Sequence, residues 1–152
     1  VAAIGTVICP DVAPSRSDAA SLEPNHSHFV LVPGCNWGDE SPWLSQVASV
    51  LSEGCPSLTL VVNGGEITLQ DVSYSVQAER PVVTLDGSGR SADKLAAALR
   101  GEATDSRISQ LIASELVQAI GLHQSSSCLA EAIEEIWATF FNLREESPQA
   151  LL

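Results

Sequence analysis

The stretch PVVTLDGSGRSA, residues 81–92, decides the fold class of this chain. Its apolar run ends in a turn with two glycines, Gly87 and Gly89, and a segment with helical periodicity follows. This order predicts a buried strand over residues 81–85, then a tight turn, then a helix over residues 91–99.

The same unit occurs twice more in the upstream half of the chain. Residues 58–62 predict a strand that ends in Asn63-Gly64-Gly65, and residues 29–32 predict a strand closed by Gly34. Helical periodicity follows each turn. Repeated strand, glycine turn and helix indicate parallel pairing with right-handed crossovers. The sequence therefore predicts a doubly wound, mainly parallel α/β sheet, to which residues 3–9 add a strand.

The last third of the chain is predicted to be helical. Residues 108–120 carry apolar side chains at helical spacing, and residues 129–140 carry a stronger apolar face that includes Trp137 and Phe140. Two uses of this second face stay open: packing on the chain's own sheet, or a homo-oligomer interface through residues 128–141.

The composition restricts the classes of partner. The chain has 152 residues, of which 45% are hydrophobic, enough for one domain with one core. Its formal net charge of −12 disfavours binding to nucleic acid and to anionic membrane surfaces. No apolar run approaches the roughly 18 residues of a transmembrane helix. The chain begins at Val1 without any methionine, so we expect residues before it, and its 4 cysteines favour a reduced, cytoplasmic protein.

The three glycine turns form the first candidate site. In an open parallel sheet the carboxyl ends of the strands lie along one edge, where ligands bind. Glycine lets the backbone approach a phosphate closely, and the following helix offers unpaired amides and a partial positive charge. Arg90 would add its charge beside residues 87–89. The alternative is a tight turn in which Ser88 or Ser91 caps the helix.

Dinucleotide and metal sites are disfavoured. Residues 87–92 fit G-x-G-x-x-A, but no predicted strand precedes the acid at Asp105, which the NAD fingerprint requires. His26 and His28 lie two residues apart, and no further ligand stands at an established spacing. We therefore predict neither a metal nor a cofactor.

The segment NGGEITLQD, residues 63–71, has two interpretations. Thr68 and Asp71 could form a capping box with aspartate in place of glutamate. Alternatively, Glu66 and Asp71 face a ligand in the crevice. The sequence leaves both open.

Three stretches give the chain a family resemblance: LEPNHSHFVLV (residues 22–32), NGG (residues 63–65) and PVVTLDGSGR (residues 81–90). Together they resemble the cytosolic N-terminal region of melastatin-type transient receptor potential channels. The soluble prokaryotic relatives of that region are more similar, because they also share WGDESPW, residues 37–43. The resemblance covers residues 3–101.

The resemblance implies a Rossmann-like domain of the SLOG superfamily, which is associated with nucleotide-derived ligands such as ADP-ribose. It implies that residues 1–104 are the C-terminal part of that domain and that its first strands precede Val1. Residues 105–152 would be a helical extension that packs on the domain or on a partner subunit. The ligand-binding residues would be Gly34, Gly64, Gly65, Glu66, Thr68, Asp86, Gly87, Ser88, Gly89 and Arg90.

Within the same superfamily, the cytokinin-activating phosphoribohydrolases carry Pro-Gly-Gly-x-Gly-Thr-x-x-Glu, which residues 63–71 resemble. Here Ile67 replaces a glycine, and Asp71 is one methylene shorter than glutamate. Our first hypothesis is sensing of a nucleotide-derived ligand without catalysis. The alternatives are N-glycoside hydrolysis, with Glu66 or Asp71 as the catalytic residue, and an assembly role with a vestigial ligand cleft.

Overall fold

The computed structural model describes residues 2–7, 22–53, 55–122 and 126–145. No helix in these ranges is long and apolar enough to cross a membrane. In chain order, the elements are β1 (Ala2–Val7), β2 (His28–Pro33), α1 (Ser41–Leu51), β3 (Thr59–Val61), α2 (Glu66–Gln77), β4 (Val82–Asp86), α3 (Arg90–Leu99), α4 (Ser106–Ile112), β5 (Val117–Gly121) and α5 (Ser126–Glu145).

All strand pairs in the described ranges are parallel, which confirms the predicted α/β class. β1 pairs with β2, and β3, β4 and β5 form a second sheet in that order. The sequence predicted one sheet, whereas the described strands are hydrogen-bonded as two. Within the second sheet, Leu60 lies opposite Val83 and Val82 lies opposite Val117.

Helices cover both faces of the sheet β3–β4–β5, as a doubly wound fold requires. β4 lies in the centre, and its first four residues are buried. Val61, Val82 and Val117 form a core with α2, α3 and α4, whose inward side chains include Leu69 and Leu95. Because parallel strands are buried on both faces, they appear in sequence as continuous apolar runs rather than as alternation.

The prediction of one helix over residues 108–120 is wrong. α4 ends at Ile112, and β5 then pairs with the open edge of β4. Between them Glu115 takes a left-handed backbone with φ of +62°. Apolar residues spaced three and four apart suit a helix, but pairing along a free strand edge overrides so short a pattern. The predicted division of the chain at residue 104 stays a prediction.

α5 agrees with the second predicted helix and packs on the sheet face opposite α2, α3 and α4. Its inward residues Leu129, Ile133 and Ile136 lie against Val83 and Ile120. The open choice for this face is therefore answered in part, because most of it is used within the chain. A homo-oligomer interface through this helix stays a prediction.

A buried arginine fixes α1 beside the second sheet. Arg80 is only 5% exposed, and its Nε donates to Ser57 Oγ at 3.1 Å. Its Nη2 donates to Ser49 Oγ at 2.7 Å and to the Ser45 carbonyl at 3.2 Å. Buried cations are costly unless their donors are satisfied, and serine oxygens satisfy them here. The turn that precedes α1 is thereby held next to α2.

Candidate functional site

Each of β2, β3 and β4 is followed by a turn that opens a helix. We call them the β2–α1 turn (residues 34–40), the β3–α2 turn (residues 63–65) and the β4–α3 turn (residues 87–89). The last two interlock. Asn63 donates from its amide to Ser88 Oγ at 2.8 Å and from Nδ2 to the Ser88 carbonyl at 2.8 Å.

The start of α3 is capped by the β3–α2 turn rather than by a side chain of its own. The Ala92 amide donates to the Asn63 carbonyl at 3.0 Å, and the Ser91 amide donates to the Gly64 carbonyl at 3.2 Å. Ser91 Oγ donates to the Gly65 carbonyl at 2.8 Å. The residue at the N-cap is Gly89, with no side-chain cap, so the alternative with Ser88 or Ser91 as a cap is wrong.

Two non-glycine residues at these turns hold left-handed backbones. Asn63 has φ of +59° and Arg90 has φ of +51°. Asparagine tolerates this region, but for arginine it is a strained conformation that only a rigid surrounding maintains. The hydrogen bonds between the two turns supply that rigidity, and the left-handed backbone fixes the position of the Arg90 Cβ.

Gly64 is required by space as well as by conformation. Its φ is +88°, and a Cβ at this position would lie 2.4 Å from Thr68 Oγ1. Thr68 therefore covers Gly64. The helix α2 begins at Glu66 with Gly65 at the N-cap, so Thr68 lies inside the helix and the predicted capping box with Asp71 is wrong.

The β4–α3 turn is closed by the chain's own carboxylate. Asp93 Oδ1 accepts from the Gly87 amide at 2.8 Å and from the Gly89 amide at 3.0 Å. These are the amides that a phosphate in this turn would use. The glycines and Ser88 are thus brought together as predicted, but an internal acid occupies the donors.

The β2–α1 turn, which contains Gly34, is closed in the same way. Asp39 Oδ2 accepts from the Cys35 amide at 2.8 Å and from the Asn36 amide at 3.0 Å. These hydrogen bonds, first from Cys35 and then from Asn36, lower the pKa of the Asp39 carboxyl. An anionic ligand therefore finds these amides already engaged.

The β3–α2 turn differs, because the amides at the start of α2 are open. Within the described ranges, the amides of Gly65, Glu66 and Ile67 donate no hydrogen bond. The Arg90 guanidinium lies beside Gly65, since a Cβ on Gly65 would be 3.0 Å from Arg90 Nη2. Unpaired amides at a helix N-terminus next to a guanidinium are an arrangement that binds phosphate.

Further positive charge gathers at this helix start. Glu66 Oε2 accepts from Arg107 Nη2 at 2.6 Å, and Glu66 Oε1 lies 3.6 Å from Lys94 Nζ. With Arg90, these are three of the seven lysines and arginines of a chain with net charge −12. The hydrogen bond and charge of Arg107, and then the charge of Lys94, lower the pKa of the Glu66 carboxyl. The protein is locally cationic where its amides are open.

Asp86 was predicted to bind the same ligand, and the structure engages it elsewhere. Asp86 Oδ2 lies 2.6 Å from Arg100 Nη1, and Arg100 also binds Glu102. The roles of Asp86 and Gly34 in ligand binding stay predictions.

Asp71 lies farther along α2, against the start of α1. The fully buried Ser41 contributes Oγ, and neither that atom nor Asp71 Oδ1 has a hydrogen-bond partner in the described ranges. Burial raises the pKa of the Asp71 carboxyl, the neighbouring Ser41 hydroxyl offsets part of the rise, and the charge of Glu40 adds to it. Asp71 therefore keeps its proton to a higher pH than an aspartate in water does.

Sequence reasoning missed an exposed aromatic ring beside α2. Trp37 is 60% exposed. Its neighbour Gly38 is packed on α2, because a Cβ there would lie 3.0 Å from Gln70 Oε1 and 3.2 Å from Ile67 Cδ1. The motif WGDESPW contained this signal, but the sequence does not show which tryptophan reaches solvent. Sequence reasoning also missed Asp93 as the acceptor for the β4–α3 turn, because an acid in the first turn of a helix can also pair with a cation or face solvent.

The described histidines and acids show no metal centre. In the part of the chain that the structure describes, no three His, Cys, Asp or Glu side chains lie together in a way that could hold a metal ion. His26 packs against Phe29 with ring centroids 5.9 Å apart, and His28 Nδ1 lies 2.9 Å from Ser27 Oγ.

Comparison with known proteins agrees with this architecture. A family model described as "SLOG in TRPM, prokaryote" matches residues 1–131. A transient receptor potential cation channel, subfamily M member-like 2, of Nematostella vectensis is 33% identical over 88 residues, 48% of this chain and 6% of that protein. Subfamily M member 2 of Mus musculus is 31% identical over 94 residues, 53% of this chain and 6% of the mouse protein.

The chain thus spans a small fraction of the length of these channels, and the similarity concerns one region of them. The family match includes the three glycine turns and the helices α2, α3 and α4, which are the elements that build the candidate site. The chain belongs to the prokaryotic branch of the SLOG domains found in melastatin-type channels.

Proposed function

We propose that this domain binds a nucleotide-derived ligand of the ADP-ribose kind through a phosphate seated on the start of α2. The observation that carries the proposal is the open set of amides at Gly65, Glu66 and Ile67, with the Arg90 guanidinium beside Gly65. Membership of a SLOG family supports a nucleotide-related ligand. The same proposal includes a cytoplasmic location.

The exposed ring of Trp37 gives the ligand's base a place to stack. The β2–α1 turn is packed on the first two turns of α2 through Gly38, and Gln70 Nε2 donates to the Gly38 carbonyl at 3.3 Å. A ligand that has its phosphate at Gly65 and extends toward this turn would bring its base to Trp37. Stacking on an aromatic ring stabilises a nucleobase by about 1–3 kcal/mol.

The test compares the ligand affinity of the whole chain with and without the Arg90 guanidinium. We expect saturation-transfer NMR to detect ADP-ribose or AMP on the wild type. Arg90→Ala should lose a charge-assisted bond of about 1.5–3 kcal/mol. That loss is a weakening of about ten- to hundred-fold in Kd.

Arg90→Lys is the matched control, because it keeps the charge and loses the planar fork. We expect an affinity between those of the wild type and of Arg90→Ala. Wild-type affinity in Arg90→Ala would contradict the assigned role of the guanidinium. No binding of any ligand from the series AMP, ADP-ribose and NAD would contradict the proposed function.

A second candidate function, hydrolysis of a nucleotide N-glycosidic bond, is favoured by one observation: Asp71 combines a raised pKa with an unpartnered Oδ1. In this reaction a protonated Asp71 gives its proton to the leaving base nitrogen as the bond to the anomeric carbon breaks. Water then adds its hydroxyl to that carbon and returns a proton to the carboxylate. Glu66 is not suited to the acid role, because Arg107 and Lys94 keep it ionised.

The experiment for this second candidate is to follow free base by proton NMR during incubation with AMP, ADP-ribose and NAD. Hydrolysis predicts new base signals with the wild type and none with Asp71→Asn. Binding signals without any free base from wild-type protein would reject catalysis and leave the sensor. An assembly role through α5 stays an alternative that predicts an oligomer and neither of these signals.

A further inference from the structure

Glu66 is the resident anion of the candidate site. It is the first residue of α2, where the helix dipole stabilises a carboxylate. Its two oxygens engage Arg107 from α4 at 2.6 Å and Lys94 from α3 at 3.6 Å. The cations nearest the open amides are therefore committed to a side chain of the protein itself, apart from Arg90.

The ion pairs of Glu66 are poorly shielded from water. The side chains of Glu66, Lys94 and Arg107 are 68%, 56% and 48% exposed. Exposed ion pairs contribute little to stability, so a stronger anion can exchange with one of their members. A phosphate carries more charge than one carboxylate and has more acceptor oxygens.

The geometry of α3 aligns its two cations toward the same place. Arg90 and Lys94 are four residues apart on one helix and so share a face. Arg90 reaches Gly65, and Lys94 reaches the next residue, Glu66. A phosphate on the Gly65 amide would thus lie beside the cations that Glu66 now holds.

We infer that Glu66 is an internal competitor that sets the affinity of the site: it holds Arg107 and Lys94 in the unliganded protein and gives them up to the ligand's phosphate. This inference rests on the proposed function, because it concerns an anion at the same helix start. The Glu66 carboxylate would weaken binding in the wild type, whereas the Glu66 amide would still contact the phosphate.

The test is a double-mutant cycle with inorganic phosphate as the probe, measured by amide NMR titration at constant ionic strength. We expect Glu66→Gln to tighten phosphate binding by about three- to ten-fold, since the freed cations turn to the phosphate. In an Arg107→Gln background the same change should tighten binding by less than about two-fold, because a freed cation is missing. Glu131→Gln, on the opposite face of the sheet, removes the same charge and should change nothing.

The outcomes separate the two proposals. Unchanged or weaker binding in Glu66→Gln would overturn the inference while wild-type binding keeps the proposed function. Equal tightening with and without Arg107 would also overturn it, because that result shows simple charge repulsion. Absence of phosphate and nucleotide binding in both the wild type and Glu66→Gln would overturn the proposed function and the inference with it. Thermal unfolding of each variant checks that the fold is kept, and Lys94→Gln offers a second background.

Discussion

The β3–α2 turn and the β4–α3 turn follow neighbouring parallel strands, and each opens a helix on the same face of the sheet. Both are rich in glycine, and both have left-handed backbones. In the β4–α3 turn, Asp93 reaches back and occupies the amides of Gly87 and Gly89. In the β3–α2 turn, Glu66 turns to Arg107, and the amides stay open.

The difference lies in where the first acid of the helix stands. Asp93 is the fourth residue of α3, so its side chain can fold back over the preceding turn. Glu66 is the first residue of α2 and follows its turn directly. A glycine pattern therefore shows that a backbone can form an anion nest, and the position of the acid decides whether an external anion can use it.

The largest effect on this comparison is expected at Gly64. Gly64→Ala should lower the free energy of unfolding by about 2–4 kcal/mol, because a left-handed alanine would also overlap Thr68. Urea unfolding measures this loss. Gly101→Ala is the matched control, because Gly101 has φ of +84° and nothing within 4 Å of the new Cβ, so only conformational strain remains.

The double variant Gly64→Ala/Thr68→Ala removes two of the three overlapping atoms of Thr68 and should recover part of the loss, although Thr68 Cβ would still lie 2.7 Å from the new Cβ. Stability losses of equal size at Gly64 and Gly101 would show that the close packing of Thr68 on Gly64 contributes nothing to the effect. In that case the rigidity of the β3–α2 turn would need another source.

The second expected effect compares the two acids directly. Asp93→Ala should lower the free energy of unfolding by about 1–2 kcal/mol, because two amides lose a charged acceptor. Glu66→Ala should change it much less than Asp93→Ala does, because the ion pairs of Glu66 are exposed. Denaturant titrations of both variants, with phosphate added to each, test the contrast.

Phosphate should protect Asp93→Ala against unfolding more than it protects the wild type, because the amides of the β4–α3 turn become available. Equal stability losses at Asp93 and Glu66 would remove the distinction between a closed and an open turn. A lack of any phosphate effect on Asp93→Ala would show that the emptied turn does not bind anions.

Much of the fold could be predicted from sequence, because glycine turns and buried apolar runs are local signals. The run at residues 81–85 and the turns at Gly64 and Gly87 are of this kind. β5 could not be predicted, because its helical spacing was overridden by an edge of β4 that is distant in sequence.

The candidate site was predictable only as a set of turns. Which turn is open depends on contacts across the fold: Arg90 beside Gly65, and Arg107, 41 residues away in sequence, on Glu66. The hydrogen bonds from the turn to Asp93 are local in sequence, but the sequence does not distinguish Asp93 from an acid that faces solvent. The side-chain conformation decides whether an acid closes its turn or faces solvent, whereas the sequence shows only the residue type.

The smallest expected effect contrasts two acids on α2 whose pKa values move in opposite directions. Burial raises the pKa of Asp71 above 3.8, so the folded protein holds this proton more tightly than the unfolded chain does. The stability contribution of Asp71 is therefore fully present below that ordinary pKa and is lost as pH rises through the raised one. Asp71→Asn should be stabilising at pH 7 and neutral at pH values below 3.8.

Glu66 has the opposite sign, because its cations lower its pKa below 4.5. Its small contribution is present above 4.5 and is lost as pH falls through the lowered pKa, so Glu66→Gln should be slightly destabilising at pH 7. Urea unfolding of both variants and the wild type between about pH 3 and pH 7 measures the two profiles. Profiles of the same sign would mean that Asp71 is charged and satisfied in the folded protein, which would remove the acid that the hydrolytic candidate requires.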